Sequence, residues 1–283
     1  MKTQYTIRRM TKDEVSTIAV KWAADEGWNP GLHDAICFYN TDTSGFFLGL
    51  INDEPIACIS AVAYDNEFGF MGFYIVRPEY RSKGYGIKIW NTAIDYLKAK
   101  NIGLDGVVEQ QSNYKKSGFS LAYNNIRYEG KSFRTNDTFP EIVPASEVSF
   151  AELLHYDSEL FPVTRPAFLK CWLDMPDSHS LAAVVDGKLS GYCVIRKCLK
   201  GYKVGPLFAD KKVLAEKLFV SANNLIEKDS AVYLDTPEIN EDAVALALKY
   251  RMTKVFETAR MYTKQQPDID ISKVFGVTTF ELG

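Results

Sequence analysis

Apolar positions in the first half of the chain alternate between a period near two and a period near 3.6, and each switch marks an element. Thr6 to Met10 reads as a strand. Thr11 and Glu14, three residues apart, form a capping box that predicts a helix over Lys12–Ala24, stopped by the breakers Gly27-Trp28-Asn29-Pro30-Gly31. A short helix is expected over Leu32–Asn40, then a hairpin of Phe46–Asn52 and Ile56–Tyr64 around Asp53-Glu54-Pro55. The apolar run Phe68–Arg77 reads as a strand ended by Pro78. After it come helical spacing over Ile87–Lys100, a strand Leu104–Val108, a short helix near 112–117 and a strand Phe119–Tyr128. Residues 131–148 are polar, carry Pro140 and Pro144, and read as a linker. Beyond them the order recurs: a helical region Phe150–Asp174, a hairpin Leu181–Val185 with Gly191–Lys197 turning at Asp186-Gly187, a strand Tyr202–Phe208, a helix 211–228, a strand Val232–Asp235, a helix 240–251 and two closing strands. The expected class is α/β (α+β), with a mixed central sheet flanked by helices in each of two tandem domains, 1–133 and 149–283, joined by 134–148.

Composition narrows the partners. A chain of 283 residues that is 46% apolar has ample material for two packed cores. With 33 basic against 36 acidic residues, and no basic stripe, nucleic acid and an anionic membrane are not expected as partners. No stretch approaches a membrane span, and the stretch from Met1 lacks a leader's apolar core. Five scattered cysteines (Cys37, Cys58, Cys171, Cys193, Cys198) without Cys-x-x-Cys predict a cytoplasmic protein with reduced core thiols. Three histidines (His33, His155, His179) far apart in sequence predict no metal site.

The most informative segment is Tyr74-Ile-Val-Arg-Pro-Glu-Tyr-Arg81-Ser-Lys-Gly84-Tyr-Gly86. A strand, a glycine loop and a helix N-terminus together hold phosphates, because free N–H groups and the helix dipole converge there. The loop lacks the Gly-Lys-Ser/Thr ending of a nucleotide loop and the third glycine of a dinucleotide fingerprint. What it contains is Arg-x-x-Gly-x-Gly at Arg81, Gly84 and Gly86, after Val76 and Pro78. Further on, Tyr114-Lys-Lys-Ser-Gly118-Phe119 reads Tyr-x-Lys-x-Gly-Phe at the end of the short helix.

In both segments the chain resembles the GCN5-related N-acetyltransferases, over about residues 5–130, and is similar to their tandem type with a degenerate second copy. The resemblance implies acetyl-CoA as cosubstrate and no metal. Its pantetheine would bond the backbone of Tyr74, Ile75 and Val76, and its pyrophosphate would lie on Arg81, Ser82, Lys83, Gly84, Tyr85, Gly86 and Ile87. At the matching place the second copy reads Ala209-Asp210-Lys211-Lys212. It has no glycine there, and Asp210 would repel a phosphate. This copy is expected to keep the shape without the cosubstrate, covering the first domain or shaping the acceptor site.

The reaction implied is acetyl transfer to a primary amine of a small molecule or peptide. It needs an amine freed of its proton (pKa near ~10 for an alkyl amine), an oxyanion donor and an acid for the leaving thiolate. By the resemblance Tyr114 is the acid, and an N–H near Val76 is the oxyanion donor. Members of the family often carry a glutamate in the fourth strand, but Phe68–Val76 has no carboxylate. Glu26, His33 and Asp34 are the candidate bases, each equally readable as a surface or capping residue; Trp28 and Asn29 are candidates for the acceptor pocket. Two other readings remain open: a non-catalytic acyl-CoA sensor, and an acyl or aminoacyl transferase with another donor. The oligomeric state is open as well.

Overall fold

The structure, a computed structural model, describes residues 4–283, so the first residues of the stretch read for a leader lie outside it. The first half begins with strand β1 (Tyr5–Arg9). A helical segment α1 follows over 12–25, whose middle, Val15–Val20, is π-helical. The capping box forms as read: Glu14 N–H donates to Thr11 Oγ1 at 3.3 Å and Thr11 N–H to Glu14 Oε2 at 2.8 Å. Next come α2 (Asp34–Thr41), β2 (Phe46–Ile51), β3 (Glu54–Ala63), β4 (Phe68–Val76), α3 (Tyr85–Tyr96), β5 (Asn101–Val107), α4 (Gln111–Lys116) and β6 (Ser120–Lys131). The β2–β3 turn sits one residue earlier than expected, on Asn52 and Asp53 at φ 49° and 68°, because these two side chains tolerate the left-handed region.

The stretch expected as a linker carries a strand, β7 (Ile142–Pro144), which pairs with β8. The remaining elements are α5 (Phe150–Glu159), α6 (Pro166–Leu173), β8 (Ser178–Val185), β9 (Lys188–Lys197), β10 (Tyr202–Ala209), α7 (Lys212–Asn224), β11 (Ala231–Pro237), α8 (Glu241–Lys249), β12 (Thr253–Tyr262) and β13 (Val274–Gly276). Asp186-Gly187 turns the β8–β9 hairpin, both at positive φ.

Among the described residues, all thirteen strands form one sheet in the order β1-β2-β3-β4-β5-β12-β6-β11-β10-β9-β8-β7, with β13 branching from β10. The middle of that order is an exchange. β12, from the end of the chain, pairs with β5 of the first half (Thr258 to Tyr262 opposite Val107 to Gly103). β6, the last strand of the first half, pairs through Asn125–Lys131 with the whole of β11 of the second. Each half therefore closes its sheet with a late strand of the other.

Packing ties the halves together a second time. The largest apolar cluster draws on both, with Phe38 of α2 stacked 5.9 Å from Trp172 of α6. Beside them Cys37 and Cys171 are joined by a disulfide between α2 and α6, with a Cα separation of 5.3 Å. This corrects the expectation of reduced thiols at these two positions. Their sequence separation of 134 leaves no spacing signal, and only the packing of the two helices brings them together. Cys58, Cys193 and Cys198 are free and buried.

Candidate functional site

β4 and β5 are parallel neighbours only from Phe68 to Met71 and Asn101 to Leu104. Past that point they separate. Phe73 adopts φ 48° and the β3–β4 register shifts beside it, so β4 bends away while it stays paired with β3 up to Val76. The edge of Tyr74–Val76 that faces β5 is thereby left without a strand partner among the described residues. The gap is a cleft with about 620 Å³ of empty space, its open mouth included. Tyr74, Trp90, Leu104, Val107 and Tyr114 form one part of its wall, and Trp28, Asp105, Thr258, Phe280 and Glu281 another.

The second half contains the same divergence and fills it. β10 and β11 are parallel over Tyr202–Val204 and Val232–Leu234, after which β13 pairs with β10. Val277 N–H then donates to Asp235 O at 2.8 Å. A Cβ on Gly276 would lie 2.7 Å from Leu234 Cδ1, so the plug fits tightly.

The glycine loop stands at the end of β4. Gly84 caps α3 at φ 79° with no side-chain cap, which leaves the first N–H groups of a twelve-residue helix uncommitted. Gly86 is needed for a different reason: a Cβ there would meet Tyr74 Oη at 2.5 Å. Residues Arg81–Gly84 are exposed and Ser82 has φ 60°. Arg81 donates from Nε to Val76 O at 2.8 Å and pairs through Nη2 with Glu26. The loop so built presents backbone donors and side-chain cations to solvent, chemistry suited to a diphosphate.

Tyr114 lies in the cleft wall, stacked on Trp90 at 5.4 Å. Burial, with Tyr74 nearby, pushes its phenol well above the usual tyrosine range, so it keeps its proton at neutral pH. Gly106 makes room for the ring, since a Cβ there would sit 2.1 Å from Tyr114 Cε2.

The expected acceptor-side residues divide. Trp28 lines the cleft. Asn29 does not; it clamps the halves, donating from Nδ2 to Lys200 O and accepting from Lys200 N–H, both at 2.9 Å. The three candidate bases each have a structural partner. Glu26 is held by Arg81 at the glycine loop. His33 lies outside the cleft, with Nε2 2.8 Å from Asp177. Asp34 is fully buried, accepts from Gly31 N–H at 2.8 Å and is ion-paired to Arg196 at 2.9 Å. Their shared loop suggested one site, but each side chain has its own structural partner.

Sequence reading missed an ionic band that crosses one face of the exchanged strands. Arg196 on β9 neighbours Lys203 on β10, and Asp235 on β11 holds Arg127 on β6 through two bonds of 2.6 and 2.7 Å. Asp105 on β5 holds Arg260 on β12 through bonds of 2.8 and 2.6 Å. Burial alone would raise the Asp235 carboxyl, but Arg127 holds it below the usual range. Burial, then Arg127, pulls the Lys203 ammonium down. Glu281 and Asp34 approach this band from outside the sheet, and the band reaches the cleft at Asp105 and Thr258. Alternating parity along β6 and β12 was the available signal, but which strands lie side by side was hidden. Among the described residues, no group of three His, Cys, Asp or Glu could hold a metal, and no helix is long and apolar enough to cross a membrane.

Known proteins match this architecture. Residues 12–119 match the model of the acetyltransferase (GNAT) family, and residues 153–276 match that of an acetyltransferase (GNAT) domain. A holothin acyltransferase from Pseudoalteromonas sp. (strain SANK 73390) is 32% identical over 94% of this chain and 90% of its own length. A putative acetyltransferase from Pyrococcus horikoshii superposes with a TM-score of 0.84 at 21% identity, over 99% of this chain and 96% of its own. A tandem GNAT protein from the clavulanic acid biosynthesis pathway superposes with a TM-score of 0.65 at 10% identity, over 93% and 100%.

Proposed function

The chain belongs to the GCN5-related N-acetyltransferase (GNAT) family as a tandem member, and from that premise we propose that it is an N-acetyltransferase using acetyl-CoA, with a primary amine of a small molecule or peptide as acceptor. The observation that carries this reading is the unfilled divergence of β4 and β5, with the glycine loop at its mouth and Tyr114 in its wall. Tyr74–Val76 offers unpaired backbone to the pantetheine amides, as an added strand would need. Arg81–Ile87 and the start of α3 take the pyrophosphate. The amine attacks the thioester carbon, the oxyanion rests on an N–H near Val76, and the thiolate takes the Tyr114 proton as it departs. The plugged gap in the second half argues for one donor site per chain. A cleft walled by a protonated phenol supports catalysis over passive sensing.

Titration calorimetry with acetyl-CoA, followed by release of CoA thiol over a panel of amines that includes holothin, tests the reading. Gly84→Glu sets a carboxylate against the phosphates and is expected to abolish coenzyme binding. At φ 79° the side chain also adds about 1–2 kcal/mol of strain, so circular dichroism must show the variant folded. Unchanged affinity in the folded variant would remove the loop from the site.

A further inference from the structure

The reaction as described leaves the amine's proton without a destination, because β4 carries no carboxylate. Two carboxylates line the cleft, Asp105 and Glu281. Asp105 is committed: Oδ1 accepts from Arg260 Nε and Asn125 Nδ2, both at 2.8 Å, and Oδ2 accepts from Arg260 Nη2 at 2.6 Å. Burial raises this carboxyl and Arg260 only partly opposes the rise, but both oxygens are already occupied, so taking a proton there would break the bidentate pair.

Glu281 is different. It is 3% exposed, and its Oε2 has no hydrogen-bond partner among the described residues. The segment that carries it is fixed. Glu281 and Leu282 N–H both donate to Thr279 Oγ1 at 3.0 Å, and Tyr64 Oη donates to Leu282 O at 2.8 Å. Its backbone lies on β4 at the point where the strand bends, so that a Cβ on Gly72 would be 2.1 Å from Glu281 O. A tail from the second half thus brings a carboxylate to the strand that lacks one, beside Thr258, whose buried Oγ1 is also unpartnered. The charged groups that face Glu281 are Arg127 from β6, Arg196 from β9 and Lys203 from β10, with Asp235 and Asp34 as their counter-ions; Tyr74, Tyr114 and the Asp105–Arg260 pair share the cleft.

We propose that Glu281 takes the proton of an alkylammonium acceptor, so that the acid and the base of one site come from opposite halves of the chain. The inference rests on the acyl-transfer reading above. The ammonium gives one proton to the Glu281 carboxylate. The freed amine forms the C–N bond, the C–S bond breaks with its electron pair on sulfur, and the thiolate takes the Tyr114 proton. The second amine proton returns to the tyrosinate, and Glu281 releases its proton to solvent.

The test compares wild type, Glu281→Gln and Glu281→Asp in the full chain, using an alkyl amine and an aromatic amine that is unprotonated at pH 7. Glu281→Gln is expected to lower kcat for the alkyl amine by about 10²–10³-fold, with acetyl-CoA affinity unchanged. Its rate should climb with pH toward the amine's own pKa of about 10, and its loss with the aromatic amine should stay under about tenfold. A wild-type rate with the alkyl amine, or equal losses with both acceptors, overturns the proposal. Glu281→Asp keeps the charge and covers the case in which the glutamine variant does not fold. It should lose alkyl-amine turnover selectively, and equal losses with both acceptors overturn the proposal just as well. Failure of the underlying reading looks different: wild type binds no acetyl-CoA, or releases no thiol with either amine, and the proposal then falls with it.

Discussion

At the scale of residues, the motif positions act through geometry that their chemistry dictates. Gly84 supplies a left-handed cap and Gly86 supplies room for Tyr74. Tyr114 combines a buried, protonated phenol with a rigid stack on Trp90. Tyr114→Phe keeps the stack and removes the proton, so turnover should fall by about 10²-fold with little change in coenzyme affinity. Steady-state thiol release alongside calorimetry measures both, and equal turnover would exclude the tyrosine as acid. The acceptor side was unreadable at this scale. Glu26, His33 and Asp34 have the right chemistry in the right loop, but Arg81, Asp177 and Arg196 engage them.

At the scale of elements, local signals predicted well wherever local bonds decide the outcome. The capping box at Thr11 and Glu14 starts α1, and Arg8 of β1 extends it by pairing with Glu14 at 2.6 Å. That hydrogen bond, then the cap, hold the Glu14 carboxyl down to about 2 from its usual 4.5. The folded pKa lies below the unfolded one, so the contribution is complete above about pH 4.5 and disappears as pH falls toward 2. Glu14→Gln should cost about 1 kcal/mol at pH 7 in urea titrations, and the difference from wild type should close near pH 2. A gap that persists at low pH would place the effect elsewhere. The turn at Asp186-Gly187 was equally local. The strand Ile142–Pro144 was not, because it exists only through its pairing with β8.

At the scale of the whole molecule, the exchange of β6 and β12 removes the independence that two tandem copies suggest. Residues 1–133 alone leave β5 without its β12 neighbour, and residues 149–283 alone leave β11 without β6. Each exposes a long unpaired edge next to apolar surface. The full chain should therefore unfold in one calorimetric transition, and neither half should fold when expressed alone; two separable transitions would contradict this. The sequence by itself determined the periodic elements, the caps and turns, the repeat of the order and the glycine loop, because each rests on contacts within a few residues. Only the tertiary structure decided which strands adjoin, that β13 plugs one divergence while the other stays open, that Cys37 meets Cys171, and that Glu281 reaches β4. Those outcomes depend on burying surface shared by segments far apart in sequence, and no local pattern encodes such a pairing.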